Sequence, residues 1–455
     1  MRYLFLTLFT VAGTAAFCQD SVFSEDALIS VIRNFHPVAK QTELDVKIAD
    51  ADLVSSRAVF DPVLSARNGL KEVAGVDYYE VRNIQLKVPL WYGIDLFTGH
   101  ERITGSRLNP AQTPGTIEYI GVSVPVLQNL AIDRRRADVK QAKLFRQLSL
   151  IERKVVINNL LRDALDAYWS WWKAHEQTQL AKLTLHNAQA RYRMVKVGVS
   201  VGERPAVDTT EAATQLQSLA MSLLEAESDL IQQRLNLSAF LWTSEGKQYE
   251  LPDSIIPQSW MEADSLLTDT YITAAAAHPE LERFSPKLES LTIDRKLKFQ
   301  SLLPDLTLKY NQLGYSLGAA TKNPWFDNNQ RFEVKMSVPL LLSQGRGEFR
   351  RANLKIAQTK LELDNKRVQI AITVKQYLTE WHQTLKQIDG QYSMMNNLIA
   401  LQRAEETKFN NGESALFFIN ARELAKLNAS QKLIDLKAQN QKALNALRWA
   451  SGSLH

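Results

Sequence analysis

The chain has 455 residues, of which 45% are hydrophobic and 23% charged, and its formal net charge is +5. These values are ordinary for a globular protein, and the length allows two or three domains. The small positive charge is spread along the sequence without a concentrated basic tract, so nucleic acid is not expected as a partner.

The N-terminus is typical of an export signal. Arg2 precedes an apolar stretch, and small residues follow at Ala15 and Ala16. Residues 1–18 are therefore predicted to be a signal peptide. Cys18, the only cysteine, is either removed with the signal or lipidated. No later run of about 18 uncharged apolar residues predicts a spanning helix, which leaves a periplasmic protein, a secreted protein or a β-barrel.

The sequence contains an internal repeat. Its matches occur in the same order in both halves: His36-Pro37 with His278-Pro279, Pro62 with Pro304, Ser123-Val124-Pro125 with Ser337-Val338-Pro339, Arg135-Arg136-Ala137 with Arg350-Arg351-Ala352, and Trp172 with Trp381. The predicted domains are repeat 1 at residues 19–253 and repeat 2 at residues 254–455.

Each repeat predicts the same series of elements. A helix of about 24 residues begins at a proline, which is favoured at the first helical turn, and in repeat 2 Pro286 should kink or restart it. Alternating strands follow, then a long helix, a glycine-bearing turn and a shorter return helix. The predicted ranges are strands in about 62–126 and 304–340, long helices in about 131–197 and 347–410, and return helices in about 206–242 and 415–450.

The segment Arg82–Leu96 belongs to repeat 1 alone. It alternates and carries aromatic residues, so it forms either two further strands or an extracellular loop. Trp91 and Tyr92 within it are candidate membrane-interface aromatics, the alternative being ordinary loop packing.

The long helices exclude a compact domain. At 1.5 Å per residue each is roughly 100 Å long, so each must lie against other helices, as in a coiled coil or a helical tube. Arg134, Arg135 and Arg136 open the first of them. They either meet lipid phosphates at the inner rim of a membrane or form a solvated helix start.

Taken together, these motifs resemble the TolC family of outer-membrane efflux proteins. The resemblance is carried by the His-Pro helix starts, the Phe60–Ser65 sequence FDPVLS, the Ser-Val-Pro-Leu segment at Ser337 and the glycine turns. It implies a mainly α fold with a β-barrel part, in which two repeats per chain contribute to a trimeric α-helical tunnel joined to a transmembrane β-barrel. It also implies an outer-membrane location with a large periplasmic part, a homotrimer in outer-membrane lipid, a periplasmic adaptor and an inner-membrane transporter.

In that family two acidic residues narrow the periplasmic entrance after the second-repeat turn. Here the corresponding segment has no acid, whereas Asp208 and Glu211 keep the pattern in repeat 1. The constriction is therefore either acidic or apolar; alternatively, these side chains serve helix packing or form a solvated helix surface. The candidate gate residues are Asp208, Glu211, Phe417, Phe418 and Asn420.

The turns after the long helices are candidate contacts for the adaptor. One is Val197–Ser200, with Gly198 and Ser200, and the other is Asn410–Ser414, with Gly412 and Ser414. Both would lie at the end of the tunnel to which the resemblance assigns the adaptor.

Residue types that signal catalysis occur only in scattered positions. The seven histidines form no metal-binding pair, and neither a phosphate-binding glycine loop nor a nucleophile elbow is present. No catalytic, cofactor-binding or metal-binding residue is predicted, and Trp169, Trp171 and Trp172 are expected to pack between helices. The predicted function is a passive outer-membrane conduit of a tripartite efflux or type I secretion system. The alternative is a pore-less periplasmic coiled-coil adaptor.

Overall fold

The computed structural model describes residues 22–108, 114–261, 268–315 and 329–454. The predicted signal peptide and Cys18 lie outside the described residues. The described chain is mostly helical and contains one six-stranded sheet. This confirms the predicted fold class of a mainly α protein with a β part.

Long helices make up most of the described chain. In chain order the α-helices are α1 Glu25–Phe35, α2 Pro37–Arg57, α3 Arg134–Ser200, α4 Ala206–Ser238, α5 Thr268–Ala274, α6 Pro279–Glu282, α7 Phe284–Gln300, α8 Ser343–Asn410 and α9 Leu416–Ala450. Helices α3 and α8 have 67 and 68 residues, so each is about 100 Å long, as predicted.

The strands of the described ranges form two sheets. They are β1 Val22–Phe23, β2 Val63–Val73, β3 Val76–Pro89, β4 Asp95–Thr104, β5 Gly115–Pro125, β6 Ile256–Pro257, β7 Asp305–Tyr315 and β8 Gln330–Ser337. Strands β1 and β6 form a short parallel pair. The others form an antiparallel sheet in the order β2-β3-β4-β5-β7-β8.

The His-Pro motifs stand at helix starts. Pro37 is the first residue of α2, and Pro279 is the first residue of α6. The His278 ring caps α6, because its Nδ1 accepts a hydrogen bond of 3.0 Å from the backbone N–H of Glu280. The helix restarts as α7 at Phe284, two residues before Pro286, as the proline predicted.

The segment Arg82–Leu96 forms strands rather than an extracellular loop. It supplies most of β3 and the start of β4, with a turn between them in which Gly93 has a φ of +73°. Its alternating pattern is therefore that of a paired strand with two different faces.

The turn after α3 lies further along the chain than predicted. Val197–Ser200 is the last turn of α3, and the helix ends where Gly202 takes a φ of +78°. The residue that terminates the helix is the one that adopts the left-handed conformation. Gly198 stays helical, and the Arg204 side chain packs across it, because a Cβ at Gly198 would lie 2.9 Å from Arg204 Cδ.

The described chain divides into two compact units. Unit 1 comprises residues 1–37, 160–267 and 377–447, and unit 2 comprises residues 38–159, 268–376 and 448–455. Each unit draws on both predicted repeats, and the division into repeats at residues 253 and 254 stays a prediction.

Unit 1 has an aromatic core on α3. Tyr168, Trp169, Trp171 and Trp172 are all at least 95% buried, which agrees with the packing role expected for the tryptophans. The Tyr168 hydroxyl donates to the carbonyl of Phe23 at 2.8 Å. Burial raises the pKa of Tyr168 to about 12.

Unit 2 contains the six-stranded sheet and the helical segments beside it. One of its hydrophobic core clusters combines Ile132, Ala137 and Leu144 with Ile293 of α7. Among the described residues, none of the helices has both the length and the apolar character that crossing a membrane requires.

Candidate functional site

The six-stranded sheet has one predominantly apolar side, which we call the apolar face. Successive side chains of a strand point to opposite faces, and directly paired residues of neighbouring strands share a face. The register therefore places one set of exposed large hydrophobic residues together: Leu64, Ile84, Leu86, Leu96, Ile120, Tyr310, Phe332, Val334 and Met336.

The opposite side, the polar face, carries most of the charged side chains of the sheet. It presents Arg67, Lys71, Asn83, Gln85, Lys87, Asp95, Glu101, Lys309, Asn311, Arg331, Glu333 and Lys335. Asn83 links this network, because its Nδ2 donates to Glu101 at 3.1 Å and its Oδ1 accepts from the Tyr119 hydroxyl at 3.1 Å. A sheet with one apolar and one polar surface separates an apolar from an aqueous environment.

Two glycines on the polar face leave room for aromatic rings. A Cβ at Gly99 would lie 2.5 Å from the Tyr119 hydroxyl, and one at Gly121 would meet the Phe97 ring and the Asn311 carboxamide. The Lys309 ammonium lies 4.8 Å from the centre of the Phe97 ring, a cation–π contact. The two rings therefore pack closely over the glycines and against the neighbouring side chains of the polar face.

The helix-proximal end of the sheet exposes further large apolar side chains. Trp91 stacks on Phe60 with ring centres 5.2 Å apart, and Tyr92 is exposed. Leu340 and Leu341, which follow β8, are 94% and 80% exposed. Such a concentration of exposed apolar surface marks a contact with a membrane or a partner.

The arginines at the start of α3 bind groups of the protein. Arg135 donates to Asp95 at 2.7 and 3.2 Å. Arg136 is buried, pairs with Asp133 at 3.2 Å and donates to two backbone carbonyls. Arg134 is exposed and pairs with Asp138 at 3.0 Å. Both alternatives, lipid phosphates and a solvated helix start, therefore stay open for Arg134 alone, and the other two side chains anchor the helix to the sheet.

The two ends of the long helices, in unit 1, have the same hydrogen-bond pattern. At the end of α3 the N–H groups of Gly202 and Glu203 donate to Val199 and Gly198, and at the end of α8 those of Gly412 and Glu413 donate to Phe409 and Lys408. This is the pattern by which a left-handed glycine closes a helix. We refer to the two turns, Val201–Pro205 and Asn411–Ala415, as the tips.

Two of the predicted gate residues are hydrogen-bonded to each other near the tips. Asn420 Nδ2 of α9 donates to Glu211 Oε1 of α4 at 3.0 Å. Asn420 Oδ1 in turn lies 3.4 Å from Arg191 Nη1 of α3. The amide thus joins three helices of unit 1, so it contributes to packing as well as to any constriction.

The two predicted gate phenylalanines are exposed. Phe417 and Phe418 are 64% and 51% exposed, and their rings meet edge to face at 5.7 Å. Asp208 is half-buried in the first turn of α4. The tips therefore present an apolar surface on α9 beside an acidic helix start on α4.

The Arg191–Glu423 pair was not predicted. Its carboxylate and guanidinium make two hydrogen bonds between α3 and α9, one of them 3.1 Å long. The two side chains are only 16% and 8% exposed. The partners are more than 200 residues apart in the sequence, so no local spacing indicates them.

A second polar group that the sequence did not indicate lies between α3 and α9. The Lys442 ammonium donates to Ser170 Oγ at 2.7 Å. Burial lowers the pKa of Lys442, and burial raises the pKa of the neighbouring Asp166 despite the attraction of Lys442. Within the described ranges, no group of three or more histidine, cysteine, aspartate or glutamate residues could hold a metal ion.

Comparison with known proteins identifies the architecture. Residues 113–241 match the family model of the outer membrane efflux protein. No curated protein matches the chain significantly.

Several solved structures share the fold. The Vibrio cholerae outer membrane protein VceC is 14% identical, with a TM-score of 0.68 over 94% of this chain and 96% of that one. The Campylobacter jejuni outer membrane channel CmeC is 12% identical, with a TM-score of 0.67 over 94% and 85%. The Neisseria gonorrhoeae outer membrane channel MtrE is 14% identical, with a TM-score of 0.64 over 94% and 89%. The predicted resemblance is confirmed by the family model over residues 113–241 and by a fold that the chain shares with outer-membrane channels.

Proposed function

We propose that this outer membrane efflux protein, a channel of the TolC type, is the passive exit duct of a tripartite efflux or type I secretion system. In this proposal three copies of the chain form the channel, a periplasmic adaptor contacts its tips, and an inner-membrane transporter supplies the cargo. In this proposal the chain does no chemical work on the solute, and the transporter selects the cargo.

The two-sided sheet is the observation that carries this proposal. Its apolar face suits lipid, and its polar face suits a water-filled lumen. A single chain leaves the edge strands β2 and β8 without neighbours among the described strands, and a strand in a membrane needs all its backbone groups paired. Pairing of β8 with β2 of the next copy would satisfy both edges and close the sheet.

The helical part supports assembly from several copies. On α8 the exposed residues Leu354, Leu361 and Val368 recur every seven positions, the spacing of a coiled-coil seam. On α2, Leu44 and Ile48 are exposed one helical turn apart. Contiguous apolar stripes of this kind need a partner helix, and the trimer supplies one from the neighbouring copy.

The helix-proximal end of the sheet fits the periplasmic membrane surface. Trp91 and Tyr92 lie there with the highly exposed Leu340 and Leu341, and aromatic residues are enriched at both interfaces of membrane sheets. This orientation places the long helices in the periplasm and the opposite end of the sheet at the cell exterior.

The tips are proposed as the periplasmic entrance. The exposed pair Phe417 and Phe418 supports an apolar constriction, whereas Asp208 and Glu211 support an acidic one. The glycine turns, with Gly198 and Ser200 just before the first and Gly412 and Ser414 in the second, are the proposed adaptor contacts. A pore-less periplasmic adaptor has no use for a sheet with an exposed apolar face, so no observation favours that alternative.

The experiment is fractionation of the outer membrane followed by reconstitution. The proposal expects a protein that requires detergent for extraction, is trimeric by native mass spectrometry and gives discrete single-channel currents in planar bilayers. A protein that is soluble without detergent, or a trimer without channel events, would contradict it.

A further inference from the structure

Two arginines lie directly opposite each other on the apolar face. Arg82 of β3 is paired in register with Arg102 of β4, so their Cβ atoms are about 5 Å apart. Both are exposed. Like charges that lie directly opposite each other destabilise a sheet. The repulsion between the two guanidinium groups therefore requires a negatively charged group nearby.

The carboxylates nearby compensate only part of this charge. Glu80 accepts a hydrogen bond of 2.7 Å from Arg82 Nε. Glu118 lies 3.7 Å from the His100 ring, next along β4 on the same face. Arg102 makes no ion pair with a carboxylate in the part of the chain that the structure describes. The pair therefore keeps part of its positive charge uncompensated by carboxylates of the described chain.

The pair lies beyond a boundary that crosses the apolar face of the whole sheet and separates apolar from polar residues. Toward the helices the apolar face carries Ile84, Leu86 and Val88 on β3, and beyond Ile84 it carries Arg82. On each of the five remaining strands the apolar face likewise changes from an apolar to a polar residue. These changes are from Ala66 to Asn68, from Leu96 to Thr98, from Ile120 to Glu118, from Tyr310 to Gln312 and from Phe332 to Gln330. Arg82 is thus the first polar residue beyond the apolar band on β3, and Arg102 is the third on β4, after Thr98 and His100.

The height of that band approaches the one expected for an outer-membrane sheet. From Leu90, at the helix-proximal turn, to Arg82 the strand rises about 26 Å along its own axis, or about 20 Å along the membrane normal at the usual tilt of about 40°. An apolar band of about 25 Å is expected for an outer-membrane sheet. In the membrane orientation proposed above, the end of the sheet that carries the two arginines, away from the helices, faces the outer leaflet.

We propose that Arg82 and Arg102 bind the phosphate groups of an outer-leaflet lipid whose acyl chains cover the apolar band below them. This inference rests on the proposed function, because the orientation of the sheet in the membrane comes from it. Guanidinium groups bind phosphate oxygens through paired, charge-assisted hydrogen bonds, and two of them side by side match a doubly charged phosphomonoester. A lipid contacts both neighbouring surfaces at once, because its acyl chains cover the apolar band and its phosphate groups pair with the two arginines.

The test uses the purified full-length trimer and diphosphoryl lipid A in mixed micelles, with binding counted by native mass spectrometry. Wild type should bind this lipid roughly tenfold more tightly than the same lipid after removal of its phosphates. The variant Arg82→Gln with Arg102→Gln should lose this preference. Arg82→Lys with Arg102→Lys should keep part of it, because ammonium groups retain the charge without the paired geometry.

The matched control removes the same charge from the other side of the sheet. Arg67→Gln with Lys71→Gln changes two cations of the polar face and should leave the lipid preference intact. Equal binding of the two lipids by wild type, or an unchanged preference in the Arg82 and Arg102 variant, would overturn the inference. Displacement of the lipid by millimolar inorganic phosphate would also overturn it, in favour of a free-anion site.

Channel recordings of the same preparations separate this inference from the proposed function. A trimer that conducts but does not discriminate between the lipids contradicts the lipid site alone. A preparation that neither inserts nor conducts contradicts the channel proposal itself.

Discussion

Arg191 of α3 and Glu423 of α9 are joined by two hydrogen bonds in a nearly buried setting, one helical turn from the predicted gate residue Asn420. The pair holds the long helix of one tip against the return helix of the other, within unit 1. A change in the relative position of α3 and α9 must therefore break it.

Removal of one partner should loosen the tips. Glu423→Ala leaves the Arg191 guanidinium buried without its anion, and breaking a buried pair costs about 3 kcal/mol. The expected results are faster proteolysis at the tips and more frequent channel openings in planar bilayers. Channel recordings and limited proteolysis measure these two effects.

An exposed ion pair provides the control for this variant. Lys247 and Glu245 lie 3.1 Å apart with both side chains more than 70% exposed, so Glu245→Ala should change neither measurement, because exposed pairs contribute little. Equal effects of the two substitutions would show that the Arg191–Glu423 pair has no special role.

The acidic and apolar versions of the gate predict different electrical behaviour. If Asp208 narrows the entrance, Asp208→Asn should weaken block by multivalent cations. If the phenylalanines narrow it, Phe417→Ala with Phe418→Ala should raise conductance and leave cation block unchanged. Asp208→Asn is preferable to Glu211→Ala, because Glu211 also accepts a hydrogen bond from Asn420.

Single-channel conductance and cation titration distinguish the two gates. If both variants behave as wild type, the constriction lies elsewhere, and all of these side chains serve helix packing.

Close packing on the polar face predicts a strong effect of one glycine substitution. A side chain at Gly121 would meet the Phe97 ring and would come within 2.5 Å of the Asn311 carboxamide oxygen. Gly121→Val should destabilise the protein by about 1–3 kcal/mol, the usual range for overpacking. Gly69→Ala in β2 is the control, because no atom lies within 4 Å of an added Cβ there. Thermal unfolding in detergent should separate them, and equal melting temperatures would refute the packing account.

The buried histidine between α1 and α2 predicts a pH dependence. His36 lies against Phe240 and Trp242 in unit 1, with ring centres 6.2 Å apart in each case, and burial lowers its pKa below the usual 6.5. The fold therefore favours the neutral ring. Its contribution to stability is complete above pH 6.5 and is lost as the pH falls through the lowered pKa.

Substitution of His36 should remove this part of the pH dependence. The melting temperature of wild type should fall more steeply between pH 7 and pH 5 than that of His36→Leu. His186→Leu, at an exposed position of α3, should retain the wild-type profile. Parallel profiles for wild type and His36→Leu would contradict the assignment.

The elements that depend on local patterns were predictable from the amino-acid sequence. The long helices α3 and α8 were predictable because they lack proline and consist of good helix formers, and the apolar alternation indicated β7 and β8. Arg82–Leu96 stayed ambiguous, because an alternating segment reads the same whether or not a neighbouring strand pairs with it. Pairing is a long-range property.

Other features could not be predicted, because the sequence offers similar local signals at neighbouring positions or no local signal at all. Gly198 and Gly202 both resemble helix-ending glycines, and only the backbone conformation shows that Gly202 is the terminator. The Arg191–Glu423 pair joins distant helices and has no local signature. The opposition of Arg82 and Arg102 became visible only with the strand register, since each arginine alone reads as a solvated strand residue.

The most direct test of the channel proposal compares two adjacent positions of β8 in a Cys18→Ser background. Val334 belongs to the apolar face and Lys335 to the polar face. A charged, membrane-impermeant thiol reagent should change the single-channel current of Lys335→Cys and leave that of Val334→Cys unaltered. Equal sensitivity of the two positions, or no effect at either, would contradict a pore lined by the polar face.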